Sequence, residues 1–221
     1  MDHTIWVFIH VMLLVYWLGG DLGVFLLAKA AKRPDLSFAE RAFALKMAVQ
    51  IDLIPRLCFT LMFPVGLQMS ASGGFIAIPN WVLVLAWMAS LGWIGLLLAI
   101  GRHEGTPRGQ QLNRLHLAWQ TVLLLGLGTL GILALLDLGP LPGGWYGLKI
   151  LLFALIFAMS IGIDMAFRPI GPAFMRLATE GSQPDIEQTI SSAVDGAIRY
   201  VLGLYALLIA IAFIGITKLI F

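Results

Sequence analysis

The first long apolar stretch decides the fold, and over residues 5–28 it reads IWVFIHVMLLVYWLGGDLGVFLLA. Its only charged side chain is that of Asp21. A helix needs about 20 predominantly apolar residues to cross the hydrocarbon core of a bilayer. Strands of a membrane barrel would alternate apolar and polar residues instead, and this stretch does not. It therefore predicts a transmembrane helix.

Similar stretches recur along the chain, and we predict six spans, at residues 5–28, 51–69, 81–100, 115–136, 146–167 and 197–216. The loops between them are short, so residues 1–221 are predicted to form a single all-α transmembrane domain. The composition agrees, since 60% of the residues are hydrophobic, 12% are charged and the mean hydropathy is +0.93. A soluble domain carries about a quarter charged residues. The composition therefore excludes a soluble globule, a disordered chain, collagen and a coiled coil.

Several functional classes are excluded as well. Cys58 is the only cysteine, which rules out internal disulfides and sites that need several cysteines to hold a metal or an iron–sulfur cluster. A net charge of +2 without a basic tail is too weak for nucleic-acid binding. The sequence has no P-loop, dinucleotide fingerprint, serine nucleophile elbow or HExxH motif.

The distribution of basic residues predicts the orientation. Eleven of the fourteen lie in the first, third and fifth loops or at their borders. The positive-inside rule places these loops in the cytoplasm and both termini on the opposite side, which is the periplasm if the membrane is the bacterial inner membrane. Ser37 and Glu40 have the spacing of a capping box, which predicts that a helix begins at the cytoplasmic surface and runs into the second span.

Ionisable groups inside spans are rare and usually face the interior of the helix bundle. Helical rise predicts two clusters of them. The inner one contains Asp21, Asp52, Arg56, Asp164, Arg168, Asp195 and Arg199. It is interpreted either as a set of ion pairs that hold helix ends together or as a path for protons or anions. In the first case Asp21 is the natural partner of Arg56.

The outer cluster contains His10 and Lys149 at similar depths, with Gln68 and Met69 near the same rim. His10 is either a hydrogen-bonded structural residue or a ligand or proton carrier. Neutral imidazole binds haem iron and copper well, and a neighbouring lysine could bind a haem propionate or relay a proton. His116 lies near the opposite end of its span, about 20 Å or more from His10 by helical rise, so the two cannot be axial ligands of one haem.

Two glycine groups predict close approach between helices. The first is Gly19, Gly20 and Gly23, and the second is Gly126, Gly128 and Gly131.

Motifs in three spans carry a resemblance to a known family. The first span has His10, six residues, then Trp17-Leu18-Gly19-Gly20; the fifth starts with Trp145-Tyr146-Gly147-Leu148-Lys149; the second has Arg56 and later Pro64-Val65-Gly66-Leu67. Together they resemble the membrane superfamily of the CopD copper-resistance proteins and the HemJ-type protoporphyrinogen oxidases. The third and fourth spans lie outside the four-helix pattern of the HemJ type.

The resemblance implies a cofactor site. A HemJ-like protein would bind haem b and oxidise protoporphyrinogen IX, with Lys149 and Arg56 as catalytic residues. Its cofactor would be bound by His10, Lys149, Met69 and Trp17. A CopD-like protein would move copper across the inner membrane, and His3 and His10 would then be metal ligands at the outer face.

Three hypotheses of function follow. The first is a haem-b-binding redox protein with a possible oxidoreductase activity. The second is a copper-transporting or copper-handling protein. The third is a non-catalytic subunit of a larger membrane complex or homo-oligomer, held through its small-residue helix faces. Under the first two hypotheses, the expected partner besides the lipid bilayer is a porphyrin or a metal ion.

Overall fold

The computed structural model describes residues 2–218, and this part of the chain is helical without any β-strand. The helices are α1 (His3–Ala31), α2 (Phe38–Ser72), α3 (Asn80–Arg102), α4 (Pro107–Leu135), α5 (Gly144–Phe167), α6 (Ile170–Glu180) and α7 (Pro184–Thr217). Within the described residues six helical segments are long and apolar enough to cross a membrane, and one of them combines α5 with α6. The prediction of an all-α polytopic membrane protein with six spans is therefore confirmed.

The predicted capping box at the start of α2 is present. The Glu40 carboxylate accepts hydrogen bonds from the backbone N–H of Ser37 at 2.8 Å and from its hydroxyl at 2.7 Å. The Glu40 N–H donates back to Ser37 Oγ at 3.4 Å. This arrangement satisfies helix-start donors that would otherwise lack partners. α2 therefore begins well before the predicted span at 51–69 and continues through Pro55 and Pro64.

α6 is an element that the hydropathy pattern did not indicate, because it is short and amphipathic. Its buried residues are Ile170, Ala173, Phe174 and Leu177. They follow the spacing i, i+3, i+4, i+7 that places side chains on one face of a helix. The other face carries Arg176, which pairs with Glu180 and Asp185.

The chain forms two compact units, and α1, α2 and α4 pass through both. The first unit contains residues 2–22 and 51–119. Aromatic rings form its core: Trp17 packs on Phe59 with a centroid separation of 4.9 Å, and Phe59 packs on Trp93 at 5.4 Å. α1 and α2 approach closely at Gly20, where a Cβ atom would lie 2.8 Å from Pro55 Cδ.

The second unit contains residues 23–50 and 120–218. α5 and α7 pack extensively, and a further cluster of buried residues joins the end of α1, the start of α2, α6 and the start of α7. α4 approaches α5 most closely at Gly131, where a Cβ atom would lie 2.7 Å from the backbone nitrogen of Leu151. The predicted close approach thus occurs at Gly131 but not at Gly126, which has open space beside it.

Candidate functional site

His10 lies on α1 in the first unit with its half-buried imidazole against α2. A Cβ atom at Gly66 would come within 3.5 Å of His10 Cε1 and 3.9 Å of Nδ1. The Pro64-Val65-Gly66-Leu67 motif therefore places its glycine directly beside the motif histidine. A larger side chain at position 66 would limit how the ring can turn.

His3 begins α1 and is held by the residues that end α2. Its Nδ1 is 3.2 Å from Ser72 Oγ, and its ring meets Phe75 edge-on with 6.0 Å between centroids. Gly73 leaves room for this ring, since a Cβ atom there would lie 2.6 Å from His3 Cε1. These contacts join the start of α1 to the end of α2, which is a structural role for the imidazole.

The two other cofactor candidates of the first unit differ in exposure. Trp17 is 2% exposed, and one of its neighbours is Phe59, so the indole belongs to the aromatic core. Met69 is half-buried near the end of α2, and its carbonyl oxygen accepts from Gly73 N–H at 3.0 Å and from Ser72 Oγ at 3.1 Å. Among the residues that the structure describes, no three His, Cys, Asp or Glu side chains are grouped so that they could hold a metal ion.

Arg56 forms an ion pair within α2, where its Nε donates to Asp52 Oδ2 at 2.5 Å. We expected Asp21 to be its partner; the structure pairs it with the carboxylate one helical turn earlier and places Asp21 close to this pair and to the Trp17 side chain. Charged side chains within a transmembrane helix usually pair with an opposite charge, and Asp52 provides that charge for Arg56.

Sequence reasoning missed a buried hydrogen bond between α3 and α4. Trp93 Nε1 donates to His116 Nδ1 at 2.9 Å, and the two residues are 5% and 3% exposed. Because an indole can only donate, Nδ1 of His116 accepts, and in the neutral ring the proton is therefore on Nε2. The residues are 23 positions apart on neighbouring helices, and no spacing rule connects such positions.

Lys149 lies on α5 in the second unit, and its ammonium faces α7. A Cβ atom at Gly215 would lie 2.8 Å from Lys149 Nζ, so the glycine makes the space for the lysine. Across residues 2–218 the Lys149 side chain makes no hydrogen bond or ion pair. A charged ammonium within a membrane span, without an anion beside it, destabilises the protein by several kcal/mol.

Two carboxylates of the second unit have polar partners on other segments of the chain. Lys32 Nζ lies 2.5 Å from Asp195 Oδ1. Gln120 Nε2 donates to Asp164 Oδ2 at 3.2 Å, and the Gln120 side chain is fully buried. These two members of the predicted inner cluster, Asp164 and Asp195, thus have partners that hold helices together.

His10 and Lys149 belong to different units, and their common depth stays a prediction from helical rise. No family model matches the chain, and neither a curated protein nor a solved structure matches it. The site is therefore interpreted from its own residues.

Proposed function

We propose that the chain is a haem-b-binding protein of the CopD/HemJ-like type in a bacterial inner membrane. His10 would hold the haem iron through an imidazole nitrogen. Lys149 would hold a propionate or be a second ligand of the iron. The observation that carries the proposal is the lone ammonium of Lys149 between α5 and α7, which lacks an anion among residues 2–218. A carboxylate ligand would neutralise it, and haem carries two.

The environment of His10 supports the same proposal. Gly66 lets the backbone of α2 come close to the imidazole, since a Cβ atom there would lie 3.5 Å from His10 Cε1. A neutral imidazole nitrogen is a common ligand of haem iron. When bound, haem would supply one-electron redox chemistry at the iron. The chain itself would contribute an imidazole nitrogen at His10 and a positive charge at Lys149.

Oxidation of a porphyrinogen is the reaction that a HemJ-like protein would catalyse. In that case Arg56, together with Asp52, places a fixed pair of opposite charges on α2 of the first unit. Arg56 would orient a carboxylate of the substrate rather than exchange protons, because the arginine side chain stays protonated in proteins.

The absorption spectrum of the purified protein tests the haem proposal. Protein from haem-replete cells should show a Soret band that His10→Ala removes or shifts. His103→Ala is the matched control, because that imidazole is bonded to the Ala99 carbonyl oxygen at 2.9 Å and has no part in the proposed site. A colourless preparation, or an identical spectrum for His10→Ala, contradicts the proposal.

The role of Lys149 needs a second readout. Lys149→Met keeps the length of the side chain and removes its charge, whereas Lys149→Arg keeps the charge. If a propionate is the partner, the haem content per protein falls in Lys149→Met and recovers in Lys149→Arg, with the Soret position unchanged. A shifted Soret band in both variants indicates an iron ligand instead.

A further inference from the structure

A groove of about 370 Å³ lies in the first unit beside the end of α2 and the first half of α3. Two carboxamides, from Gln68 and Asn80, line it together with apolar side chains. Sites for small molecules typically enclose about 300–1,000 Å³, are mostly apolar and hold a few polar groups that fix orientation. The groove has a volume in that range and a mostly apolar lining with two polar side chains, and it shares no residue with the proposed haem site. It is open along the helix surface, because Val84, Met88 and Leu91 are each more than half exposed.

The groove follows α3 over a length equal to about half the thickness of a hydrocarbon core. Asn80 is the first residue of α3, and Leu91 lines the groove eleven residues later, about 16 Å along a helix axis. Half of the hydrocarbon core is about 15 Å thick. A molecule in the groove would therefore have its polar part at the membrane surface and a chain along Val84, Met88 and Leu91.

The polar end of the groove is uncharged and able to form hydrogen bonds. The Gln68 and Asn80 side chains make no hydrogen bond within residues 2–218, although each amide offers two donor hydrogens and one acceptor oxygen. None of the residues that line the groove is charged. It therefore offers nothing that would neutralise a phosphate, and it favours a neutral head group with carbonyl oxygens.

Trp87 adds a flat surface between the amides and the aliphatic end. Its indole lines the groove and packs on Trp6 of α1, with 6.2 Å between ring centroids. The contact with Trp6 restricts how the indole can turn. A planar head group would gain an aromatic contact here that a glycerol backbone would not.

We propose that this groove binds a lipid-soluble quinone. Its carbonyl oxygens accept hydrogen bonds from the Gln68 and Asn80 amides, its ring lies against Trp87, and its isoprenoid tail follows Val84, Met88 and Leu91 towards the bilayer centre. The binding rests on the first unit alone and holds whether or not haem is bound at His10.

Quenching of tryptophan fluorescence by decylubiquinone tests the proposal on the full chain in phosphatidylcholine nanodiscs. Quenching should saturate, and Trp87→Phe should remove most of the saturable part. The matched control Trp81→Phe changes an indole that is 66% exposed on the same helix and outside the groove, so it should leave the saturable part in place.

The amides are tested by Gln68→Leu and Asn80→Ala, each of which should weaken binding roughly tenfold, the change that 1.4 kcal/mol produces. Gln110→Leu, which removes an exposed amide from the first turn of α4, should leave the affinity unchanged. Circular dichroism and gel-filtration profiles like those of the unmodified chain exclude misfolding. Gln68→Glu should also weaken binding, because it replaces a donor with a charge.

Three outcomes overturn the proposal. Quenching that rises linearly with quinone in every variant shows partitioning into the bilayer. Displacement of decylubiquinone by dioleoylglycerol at equal mole fraction assigns the groove to a neutral glycerolipid. Loss of binding in His10→Ala, but not in Gln68→Leu, places the quinone elsewhere. Because His10→Ala should keep full quinone binding while it loses the Soret band, failure of the haem proposal and failure of this one are distinguishable.

Discussion

The interactions that stabilise each unit internally are of different kinds in the two units. In the first unit, aromatic rings pack against one another: Trp17 contacts Phe59, and Phe59 contacts Trp93, which is hydrogen-bonded to His116. In the second, ion pairs join segments that are far apart in the sequence. One of these pairs joins Arg41 to Glu187, 146 residues away, through two 2.8 Å hydrogen bonds to the carboxylate.

A buried arginine in the second unit shows how a charge is accommodated there. Arg41 is 2% exposed, its Nε also donates to the Ala31 carbonyl oxygen at 2.9 Å, and its guanidinium lies over the Phe174 ring. All of its strong interactions are thus used within one unit. A buried charge of this kind is tolerated because its partners are fixed, whereas aromatic packing in the first unit has no such requirement for an exact partner.

The largest expected effect is that of Arg41→Ala. It leaves the carboxylate of Glu187, which is 19% exposed on its side chain, without its cation. Removing one partner of a buried ion pair destabilises a protein by about 3–5 kcal/mol. The apparent Tm of the detergent-purified protein should therefore fall by many degrees. An unchanged Tm would mean that the second unit does not depend on this pair.

Arg33→Ala is the matched control, since Arg33 and Asp35 form an ion pair on the exposed segment between α1 and α2. The hydrogen bond from Arg33 holds the pKa of the Asp35 carboxyl below its usual value. A lowered folded-state pKa favours the fold above the unfolded value and loses that contribution as the pH falls through the folded one. Because both groups are fully exposed, the Tm should not change measurably at neutral pH.

Trp93→Phe tests the first unit and should have the next largest effect. It deprives the buried Nδ1 of His116 of its donor, which costs about 1–3 kcal/mol, and it leaves a smaller ring in the aromatic core. Thermal unfolding followed by circular dichroism measures the loss. Trp81→Phe, at a position that is 66% exposed, should leave the Tm within error; an equal loss in both variants would contradict the importance of the Trp93–His116 bond.

The smallest expected effect comes from methyl groups added at helix contacts. Gly131→Ala places a Cβ atom 2.7 Å from the Leu151 backbone nitrogen, and the backbone of α5 must shift to accept it. Overpacking of this kind costs about 1–3 kcal/mol. Gly126→Ala on the same helix meets open space and should be neutral or stabilising by up to about 1 kcal/mol, because alanine favours helix. The difference in apparent Tm between the two variants is the measurement.

The same pair of changes is possible in the first unit. Gly20→Ala places a Cβ atom 2.8 Å from Pro55 Cδ, whereas Gly19→Ala meets nothing within 4 Å. The proline ring is rigid, so we expect Gly20→Ala to lower the Tm and Gly19→Ala to leave it unchanged. If Gly19→Ala is the more damaging of the two, the contact between α1 and α2 differs from the one described.

The sequence predicted the spans well, because continuous apolar stretches report directly on membrane crossing. It also predicted the capping box at Ser37, because that motif depends on residues only three apart. Hydropathy does not indicate α6, because the helix is short and only one of its faces is apolar; the spacing of Ile170, Phe174 and Leu177 does indicate an amphipathic helix.

Partners that are far apart in the chain were not predicted from the sequence. Arg41 was predicted only as a cytoplasmic basic residue, and nothing in its local sequence distinguishes it from the exposed Arg33. Arg56 pairs with Asp52 at i−4 on the same helix, which a simple i,i+4 rule would have found; the predicted partner, Asp21, is close enough to interact with the guanidinium as well. Helical rise predicted that His10 and Lys149 lie at a similar depth, and the resemblance adds a ligand common to both, which stays a prediction.

The ion pair of Arg41 also affects how the protein is made. Ribosomes add about 5–20 residues per second, so the 146 residues between Arg41 and Glu187 take roughly 7–30 s to follow. During that time α1 and α2 are already synthesised, but Arg41 lacks the Glu187 carboxylate, which belongs to the first turn of α7. A nascent chain that stops before α7 would carry that unmatched charge, and the cell's membrane proteases and insertion machinery would encounter it in this state.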